Sequence, residues 1–250
     1  MIEVDGLVRE LGDKRVLDGL TFSAPPGQIT GFLGPNGAGK TTTMRVLSTL
    51  LRPTEGRVLV GGFDVVKQSD DVRQIIGLVT EEPGLLDRLT AREHLEFSAA
   101  AYGLSRQRIA ERIDFVAEVL NLGESLDVRA GKLSKGNRQK VALARAIVHD
   151  PPILLLDEPT ANLDVVATAN MQDLLLTPEV RAEKTVLLST HALEEADRVC
   201  DRVVGIVNGH AVAEGTKAEI AAHAGTKDFR SAFLALLSER TLVTPEPTPT

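Results

Sequence analysis

The segment from Gly34 to Thr41 has the residue types and the spacing that bind a phosphate chain. It fits the pattern G-x-x-x-x-G-K-[ST] and stands between the apolar run Ile29 to Leu33 and a helix predicted from Lys40 onward. Glycines allow backbone N–H groups to crowd around a polyanion, and a helix N-terminus adds partial positive charge. We therefore predict that Lys40 neutralises the terminal phosphates and that the Thr41 hydroxyl completes a Mg²⁺ shell. The alternative is a glycine-rich turn with a chance lysine, and the flanking strand and helix disfavour it. The candidate phosphate-binding residues are Gly34, Pro35, Asn36, Gly37, Ala38, Gly39, Lys40 and Thr41.

Two adjacent carboxylates, Asp157 and Glu158, end an apolar run that begins at Ile153. Charges at the tip of a buried strand are costly unless something compensates them. A Mg²⁺ ion at Asp157 would do so, and Glu158, on the opposite side of an alternating strand, would polarise an attacking water. Taken alone, the pair is explained equally well by a solvated strand end. The phosphate-binding loop in the same chain favours the catalytic interpretation.

His191 follows a second apolar run, Thr185 to Leu188, through Ser189 and Thr190. A single histidine at a strand end is more often structural. In an open α/β sheet, however, the carboxyl ends of the strands line the ligand crevice. Because three candidate strand ends share that crevice, we predict that His191 reaches the terminal phosphate.

The predicted elements place these residues at strand ends around a helical insertion. The first sixty residues alternate short apolar runs with Gly and Pro, which is typical of strands and turns. Thr90 and Glu93 form a capping-box pattern, and helical spacing continues to His149. The runs before Asp157 and His191 predict parallel strands buried on both faces. Residues 203–209 predict the start of a hairpin. We expect one domain over residues 1–240, with a helical subdomain at about 87–150 and a disordered tail at 241–250.

Composition indicates a folded protein and disfavours nucleic acid as a partner. Of the 250 residues, 43% are hydrophobic and 25% are charged, an ordinary globular balance. The net charge of −7 would repel a nucleic acid at long range. The single cysteine, Cys200, is expected to be a buried structural thiol in a reducing compartment. The segment Met1 to Asp5 does not read as a secretory signal, and no stretch reaches about 18 uninterrupted apolar residues, so we expect that action at a membrane would require a partner.

The order and spacing of these segments resemble the ATP-binding cassette family over about residues 2 to 217. The similar segments are the Walker A loop (Gly34 to Thr42), the signature motif (Leu133 to Gln139), the Walker B strand with its catalytic glutamate (Ile153 to Glu158), the D-loop (Ala161-Asn162-Leu163-Asp164) and the switch histidine (His191). The resemblance implies an α/β fold with a RecA-like P-loop NTPase core, an N-terminal antiparallel β subdomain and an inserted α-helical subdomain. It also implies ATP and Mg²⁺ as ligands, ATP hydrolysis as the reaction, and Thr42 as a further nucleotide-binding residue.

The signature segment gains its meaning only from this resemblance. Alone, it is an ordinary helix start with Ser134 as N-cap. The family implies that two chains pack head to tail and that Ser134 and Gly136 of one chain contact the γ-phosphate held by the other, with Asn137 as a further residue of this signature in trans. Asp164 would then belong to the D-loop of the same interface.

Three positions depart from the commoner family pattern. Glu81 replaces the Q-loop glutamine; a carboxylate there could still ligate Mg²⁺ but changes the charge of the site. The aromatic residue that commonly stacks on adenine is replaced by Leu11 or Val16, which implies apolar packing of the base. The signature reads Leu-Ser-Lys-Gly-Asn instead of Leu-Ser-Gly-Gly-Gln, and keeps the serine and the second glycine.

The partners implied by the resemblance are a second cassette, either identical or paralogous, and a separate polytopic membrane permease. The chain would lie on the cytoplasmic face of the cell membrane, with Glu82 to Glu93 as the docking region. Its variant motifs look like those of bacterial sodium-extruding and drug-resistance exporters. A soluble mechanical ATPase is the alternative within the family, although no second cassette or long coiled coil is present. A P-loop kinase or GTPase is the alternative outside it, and predicts neither the signature segment nor the histidine.

Overall fold

The computed structural model describes residues 1–161, 163–181, 184–226 and 228–241. Asn162 of the predicted D-loop and residues 242–250 of the predicted tail lie outside these ranges, whereas Thr241 ends the last helix. The strands are β1 (Ile2–Leu11), β2 (Lys14–Ala24), β3 (Ile29–Leu33), β4 (Glu55–Val60), β5 (Phe63–Asp64), β6 (Ile76–Val79), β7 (Ile153–Asp157), β8 (Thr185–Thr190), β9 (Arg202–Val207) and β10 (His210–Thr216). The α-helices are α1 (Lys40–Leu47), α2 (Ser69–Ile75), α3 (Ala91–Ala101), α4 (Arg106–Val119), α5 (Lys135–Ile147), α6 (Val165–Leu175), α7 (Pro178–Arg181), α8 (Leu193–Val199), α9 (Lys217–His223) and α10 (Phe229–Thr241). Within the described ranges, none of these helices is long and apolar enough to cross a bilayer.

The strands form two sheets. The first is antiparallel, with the order β2-β1-β4-β5, and comes from the N-terminal part of the chain. The second has the order β10-β9-β3-β8-β7-β6; its pairs from β9 to β6 are parallel, and β10 is an antiparallel edge strand. The predicted hairpin is therefore present, and Asn208 and Gly209 turn it with φ values of 47° and 80°. Positive φ at both turn residues suits the twist of a two-residue hairpin.

The central strands are buried on both faces, as their apolar runs predict. In β7 and β8, Leu155 and Leu187 pack into a cluster shared with the antiparallel sheet. Their neighbours Leu156 and Leu188 pack into a second cluster, which is shared with the helices. Fully burying a leucine contributes about 1.5–3 kcal/mol, so these two layers hold the strand ends in place.

The insertion between β6 and β7 contains helices α3, α4 and α5. The capping box is present: the Thr90 hydroxyl accepts from the Glu93 amide at 3.1 Å, and the Glu93 carboxylate accepts from the Thr90 amide at 2.7 Å. Helix α1 ends at Leu47, two residues before Thr49, which adopts a left-handed conformation (φ 65°), and α5 ends at Ile147, before Pro151.

Strands β3, β8 and β7 are neighbours and point in the same direction, so their carboxyl ends meet at one edge. The register pairs Leu33 with Thr190, and Asp157 with Ser189. The chain segments that carry the predicted chemistry leave the sheet directly after these pairs. Carboxyl edges of this kind are where open α/β sheets bind ligands.

Candidate functional site

A cavity of about 400 Å³, which we call the P-loop cavity, opens at this edge of the sheet. The predicted site residues that line it are Asn36, Gly37, Gly39, Lys40, Thr41, Thr42, Glu81, Glu158 and His191. The other loop residues lie behind them. Gly34 and Pro35 present their carbonyl oxygens to the Lys40 ammonium, and Ala38 is buried. The fold thus brings four distant segments of the chain to one cavity.

The loop before α1 can take its shape only with glycine at particular positions. A Cβ atom on Gly34 would lie 2.2 Å from the carbonyl oxygen of Ile206 in β9, so the close approach of these two segments excludes a side chain. Gly39 has a φ of 110° and precedes α1 without a side-chain cap. The first amides of that helix are consequently left to bind an anion.

Lys40 is a buried cation at the wall of the P-loop cavity, with an exposed fraction of 6%. Its Nζ atom donates to the carbonyl oxygens of Gly34 at 2.8 Å and Pro35 at 3.2 Å. The same atom lies 3.3 Å from Oε1 of Glu158. The two carbonyl oxygens and the carboxylate compensate the cost of burying the ammonium charge. A phosphate oxygen could take the place of the carboxylate.

Glu158 lies just beyond β7 and has a left-handed backbone conformation, with a φ of 50°. Its amide donates to the carbonyl oxygen of Ser189 at 3.1 Å and to the Ser189 hydroxyl at 3.2 Å. The expectation that strand alternation orients Glu158 is therefore wrong, because the strand ends at Asp157 and the turn itself aims the carboxylate. Oε2 of Glu158 lies 2.8 Å from Nδ1 of His191, whose side chain is 56% exposed. Left-handed backbone at a non-glycine residue costs about 1–3 kcal/mol and is concentrated at functional sites.

Asp157 lines a neighbouring cavity of about 580 Å³, together with Thr41 and Glu81. It is 3% exposed, and its Oδ1 atom accepts a hydrogen bond from the Ser189 hydroxyl at 2.5 Å. Glu81 is exposed and borders both this cavity and the P-loop cavity. A hydroxyl and two carboxylates are the oxygen donors that Mg²⁺ prefers, so these three residues fit that ion chemically.

The signature residues line a different cavity of about 400 Å³, which we call the Ser134 cavity. Ser134, Gly136, Asn137 and Asp164 all border it. Two of them also cap helices: Ser134 Oγ accepts from the Asn137 amide at 3.2 Å, and Asp164 Oδ1 accepts from the Ala167 amide at 2.8 Å. Within one chain, the structure therefore does not bring the signature residues into the P-loop cavity.

Several residues of the site could be identified only from the folded structure. Val16 lines the P-loop cavity and Leu11 does not, so Val16 is the candidate for apolar contact with a base. Lys14 also lines it, and no pattern in the sequence indicates this cation. Ser189, which contacts both Asp157 and Glu158, could have been suspected from its position next to His191. Cys200 is buried, as expected, and burial raises the pKa of its thiol.

The family model described as ABC transporter matches residues 17–161. The chain is 37% identical to the ABC transporter ATP-binding protein NatA of Bacillus subtilis, over 95% of this chain and 98% of NatA. It is 41% identical to the daunorubicin resistance ATP-binding protein DrrA3 of Streptomyces coeruleorubidus, over 90% of this chain and 71% of that protein. It is 39% identical to the Nod factor export ATP-binding protein I of Burkholderia orbicola, over 86% of this chain and 70% of that protein.

Solved structures give the same result. An ATP-binding subunit of an ABC transporter superimposes with a TM-score of 0.86 and 30% identity, over 94% of this chain and 99% of the other. A bacterial ABC transporter cassette solved as a dimer superimposes with a TM-score of 0.77 and 26% identity, over 86% of this chain and 98% of the other. The chain therefore belongs to the ABC transporter family, as an ATP-binding subunit that hydrolyses ATP. The predicted fold class is confirmed, and the alternative of a P-loop kinase or GTPase is wrong.

Proposed function

We propose that the P-loop cavity is where this subunit binds and hydrolyses ATP, with Lys40, Glu158 and His191 as its catalytic residues. The observation that carries this proposal is the Glu158 carboxylate, which contacts Lys40 through one oxygen and His191 through the other. Residues 34–42 would bind the phosphates, and Val16 would pack against the base. An apolar contact of this kind offers little selectivity among bases.

The chemistry assigned to each side chain follows from its contacts. When a triphosphate enters, the Lys40 ammonium exchanges the Glu158 carboxylate for phosphate oxygens. Glu158 is then free to accept a proton from the water that attacks the γ-phosphorus, while the bond to the β-phosphate oxygen breaks. His191, more than half exposed, reaches into the cavity and donates to the γ-phosphate or to the Glu158 carboxylate.

The proposed Mg²⁺ ligands are Thr41, Asp157 and Glu81, which share one cavity wall. When bound, the ion would neutralise charge that develops on the transferred phosphoryl group. Burial of Asp157 beside the Ser189 hydroxyl holds this carboxylate in one orientation. Glu81 supplies a second negative charge at a position where a glutamine would supply none.

We further propose that two cassettes associate head to tail, as a homodimer or with a paralogue. Each Ser134 cavity would then cover the P-loop cavity of the other chain, with Ser134, Gly136, Asn137 and Asp164 in contact with the nucleotide or its surroundings. The separation of the two cavities within one chain supports this arrangement. Val165 and Val166 next to Asp164 are 87% and 70% exposed, and a dimer would cover these apolar side chains.

The membrane partner is proposed to be a separate polytopic permease, with the chain bound at the cytoplasmic face of the membrane as part of an exporter. The name of the relative Nod factor export ATP-binding protein I supports a role in export, and the name of the ABC transporter ATP-binding protein NatA supports a role in transport. The proposed docking region, Glu82 to Glu93, includes Leu86, which is 65% exposed. We also propose that residues 1–240 form one nucleotide-binding domain.

The test compares wild type with Glu158→Gln, which keeps the size of the side chain but removes the base. We expect ATP hydrolysis to fall by about 10²- to 10⁴-fold, because a general base contributes that much. Dimers containing ATP should accumulate, as measured by analytical ultracentrifugation with and without ATP. Lys40→Ala is the control that should bind ATP weakly and form no such dimers. Hydrolysis at the wild-type rate by Glu158→Gln would remove Glu158 from the proposed mechanism.

A further inference from the structure

A small cavity of about 190 Å³, which we call the Gln139 cavity, lies between the segment of Glu81 and the first turns of α5. The polar side chains that line it are Glu81, Glu82, Lys135, Arg138 and Gln139. Glu81 also borders the P-loop cavity and the cavity that it shares with Thr41 and Asp157. A group that orients Glu81 in the Gln139 cavity would therefore also act on the proposed Mg²⁺ site.

Gln139 carries a hydrogen-bond donor that no described residue satisfies. The residue is 3% exposed, and its Nε2 atom is buried without a hydrogen-bond partner among the described residues. A buried amide donor without an acceptor costs stability, and methionine, which is of similar size, would avoid that cost. A second buried glutamine, Gln172, differs in this respect, because its Oε1 atom accepts from Arg198 at 3.1 Å. The placement of the Gln139 amide is thus not explained by its contribution to stability.

Glu81 is an acceptor that borders the same cavity. Its side chain is exposed, and within the described part of the chain its carboxylate makes neither a hydrogen bond nor an ion pair. A carboxylate has two acceptor oxygens, so one can ligate an ion while the other accepts from an amide. Donors of this kind orient the carboxylates that ligate metals. A glutamine at position 81 would have only one oxygen, and its own NH₂ group would then face the Gln139 donor.

The two cations that line the Gln139 cavity are less suited to this role. Arg138 is already engaged, since its Nη1 atom donates to Asp87 at 2.8 Å and to the carbonyl oxygen of Ala130 at 2.7 Å. Lys135 is exposed, so water can satisfy its ammonium group, and its charge would compete with Mg²⁺ for the carboxylate. A neutral amide fixes the orientation of a carboxylate without neutralising its charge.

We propose that Gln139 is a positioning residue for the Mg²⁺ site: its Nε2 group donates to the Glu81 carboxylate and leaves the other Glu81 oxygen for the ion. Glu81 lies two residues after β6, and Gln139 lies in the second turn of α5, so the bond joins two distant segments of the chain. This inference rests on the proposed function, since it assumes that Glu81 is a Mg²⁺ ligand.

The experiment measures how strongly Mg²⁺ supports ATP binding in a Glu158→Gln background, where hydrolysis does not interfere. The dissociation constant for ATP is measured by titration in EDTA and in excess Mg²⁺, and we call the quotient of the two constants the Mg²⁺ ratio. We expect Gln139→Met to lower the Mg²⁺ ratio about tenfold, as is usual for a group that orients a metal ligand, and to change ATP affinity in EDTA less than about twofold. Glu81→Ala should lower the ratio at least as much. Adding Gln139→Met to Glu81→Ala should change it less than about twofold, because the acceptor is already gone.

The stability of the nucleotide-free and metal-free protein separates positioning from a structural role. Gln139→Met removes an unsatisfied donor, so its midpoint of urea unfolding should be equal to or higher than that of wild type. Gln172→Met is the matched control: it removes a satisfied acceptor in α6 and should lower the midpoint, while the Mg²⁺ ratio stays unchanged. A lower midpoint for Gln139→Met together with an unchanged Mg²⁺ ratio would show that Gln139 is only structural. If Gln139→Met does not fold, Gln139→Leu allows the same comparison.

The possible failures are distinguishable. If the Glu158→Gln protein does not bind ATP, the proposed function fails. If it binds ATP but Glu81→Ala leaves the Mg²⁺ ratio unchanged, Glu81 is not a ligand, and the role of Gln139 fails with it while the phosphate-binding loop stands. If Glu81→Ala lowers the ratio and Gln139→Met does not, or if Gln139→Met lowers it equally with and without Glu81, the positioning role is overturned and the proposed ligands stand. A fall in the ratio for Lys135→Met but not for Gln139→Met would also overturn it.

Discussion

Nδ1 of His191 lies 2.8 Å from Oε2 of Glu158, which ties the end of β8 to the turn after β7. Because an ionised carboxylate only accepts, Nδ1 is the donating nitrogen, and this fixes the ring orientation. We predict that His191→Ala lowers the rate of ATP hydrolysis by about 10- to 100-fold and changes ATP affinity by less than about threefold. Steady-state hydrolysis and nucleotide titration measure the two effects. The exposed His223→Ala is the matched control, and a wild-type rate for His191→Ala would contradict the prediction.

Gly34→Ala tests the close approach of the phosphate-binding loop to β9. The added Cβ would meet the Ile206 carbonyl oxygen at 2.2 Å, and neither backbone segment can move without disturbing its strand. We expect a loss of about 2–3 kcal/mol in the free energy of unfolding, and weaker ATP binding. Urea unfolding and nucleotide titration are the measurements. Gly123→Ala adds the same methyl group where nothing lies within 4 Å, and its stability should stay close to wild type.

Arg112→Met tests the junction between α4 and the end of α5. The Arg112 guanidinium donates to the carbonyl oxygens of Val148 at 2.9 Å and Ile147 at 2.8 Å, and the residue is buried. Methionine keeps most of the packing but leaves the Val148 carbonyl without this donor and the Ile147 carbonyl with only the Asp150 amide, at 3.0 Å. We therefore expect a loss of about 2–3 kcal/mol in the free energy of unfolding. Thermal and urea unfolding would measure it. Arg108→Met removes only a surface pair with Glu111 and should cost less than about 1 kcal/mol; equal effects would contradict our interpretation.

His149 predicts a pH dependence of stability. Its ring stacks on Tyr102 with 3.5 Å between centroids, Nε2 lies 3.0 Å from the Ile76 carbonyl oxygen, and Nδ1 is buried without a partner among the described residues. Burial is the main cause that lowers the pKa of His149 from 6.5 to about 4; the charges of Arg112 and Lys184 act in the same direction, while the Ile76 hydrogen bond and Asp150 oppose it.

The unfolded chain therefore binds more protons than the folded chain between these two pKa values, so the free energy of unfolding falls as the pH drops from about 6.5 to 4. After a reduction for partial exposure, the contribution is about 1–2 kcal/mol. Urea unfolding at pH 7 and pH 4.5 measures it. The change between these pH values should be smaller in His149→Gln than in wild type, and His223→Gln should resemble wild type. An identical pH dependence in His149→Gln would contradict the prediction.

By itself, the sequence determined the local features of the protein. The apolar runs before Asp157 and Ser189 predicted strands buried on both faces, because a strand covered by two layers must be apolar throughout. Thr90 and Glu93 predicted a helix start, since a capping box satisfies its own backbone amides within four residues. The Gly34–Thr41 pattern and the order of the motifs along the chain are sufficient to indicate the family.

Only the tertiary structure decided how the side chains of the site meet. The left-handed turn at Glu158 follows from its bonds to Ser189, more than thirty residues away. The choice of Val16 over Leu11 depends on how β2 passes the P-loop cavity. Local patterns are set by neighbours along the chain, whereas these contacts depend on the register between strands that are distant in sequence. For the same reason, local sequence patterns could not predict that Ser134 and Lys40 line different cavities of one chain.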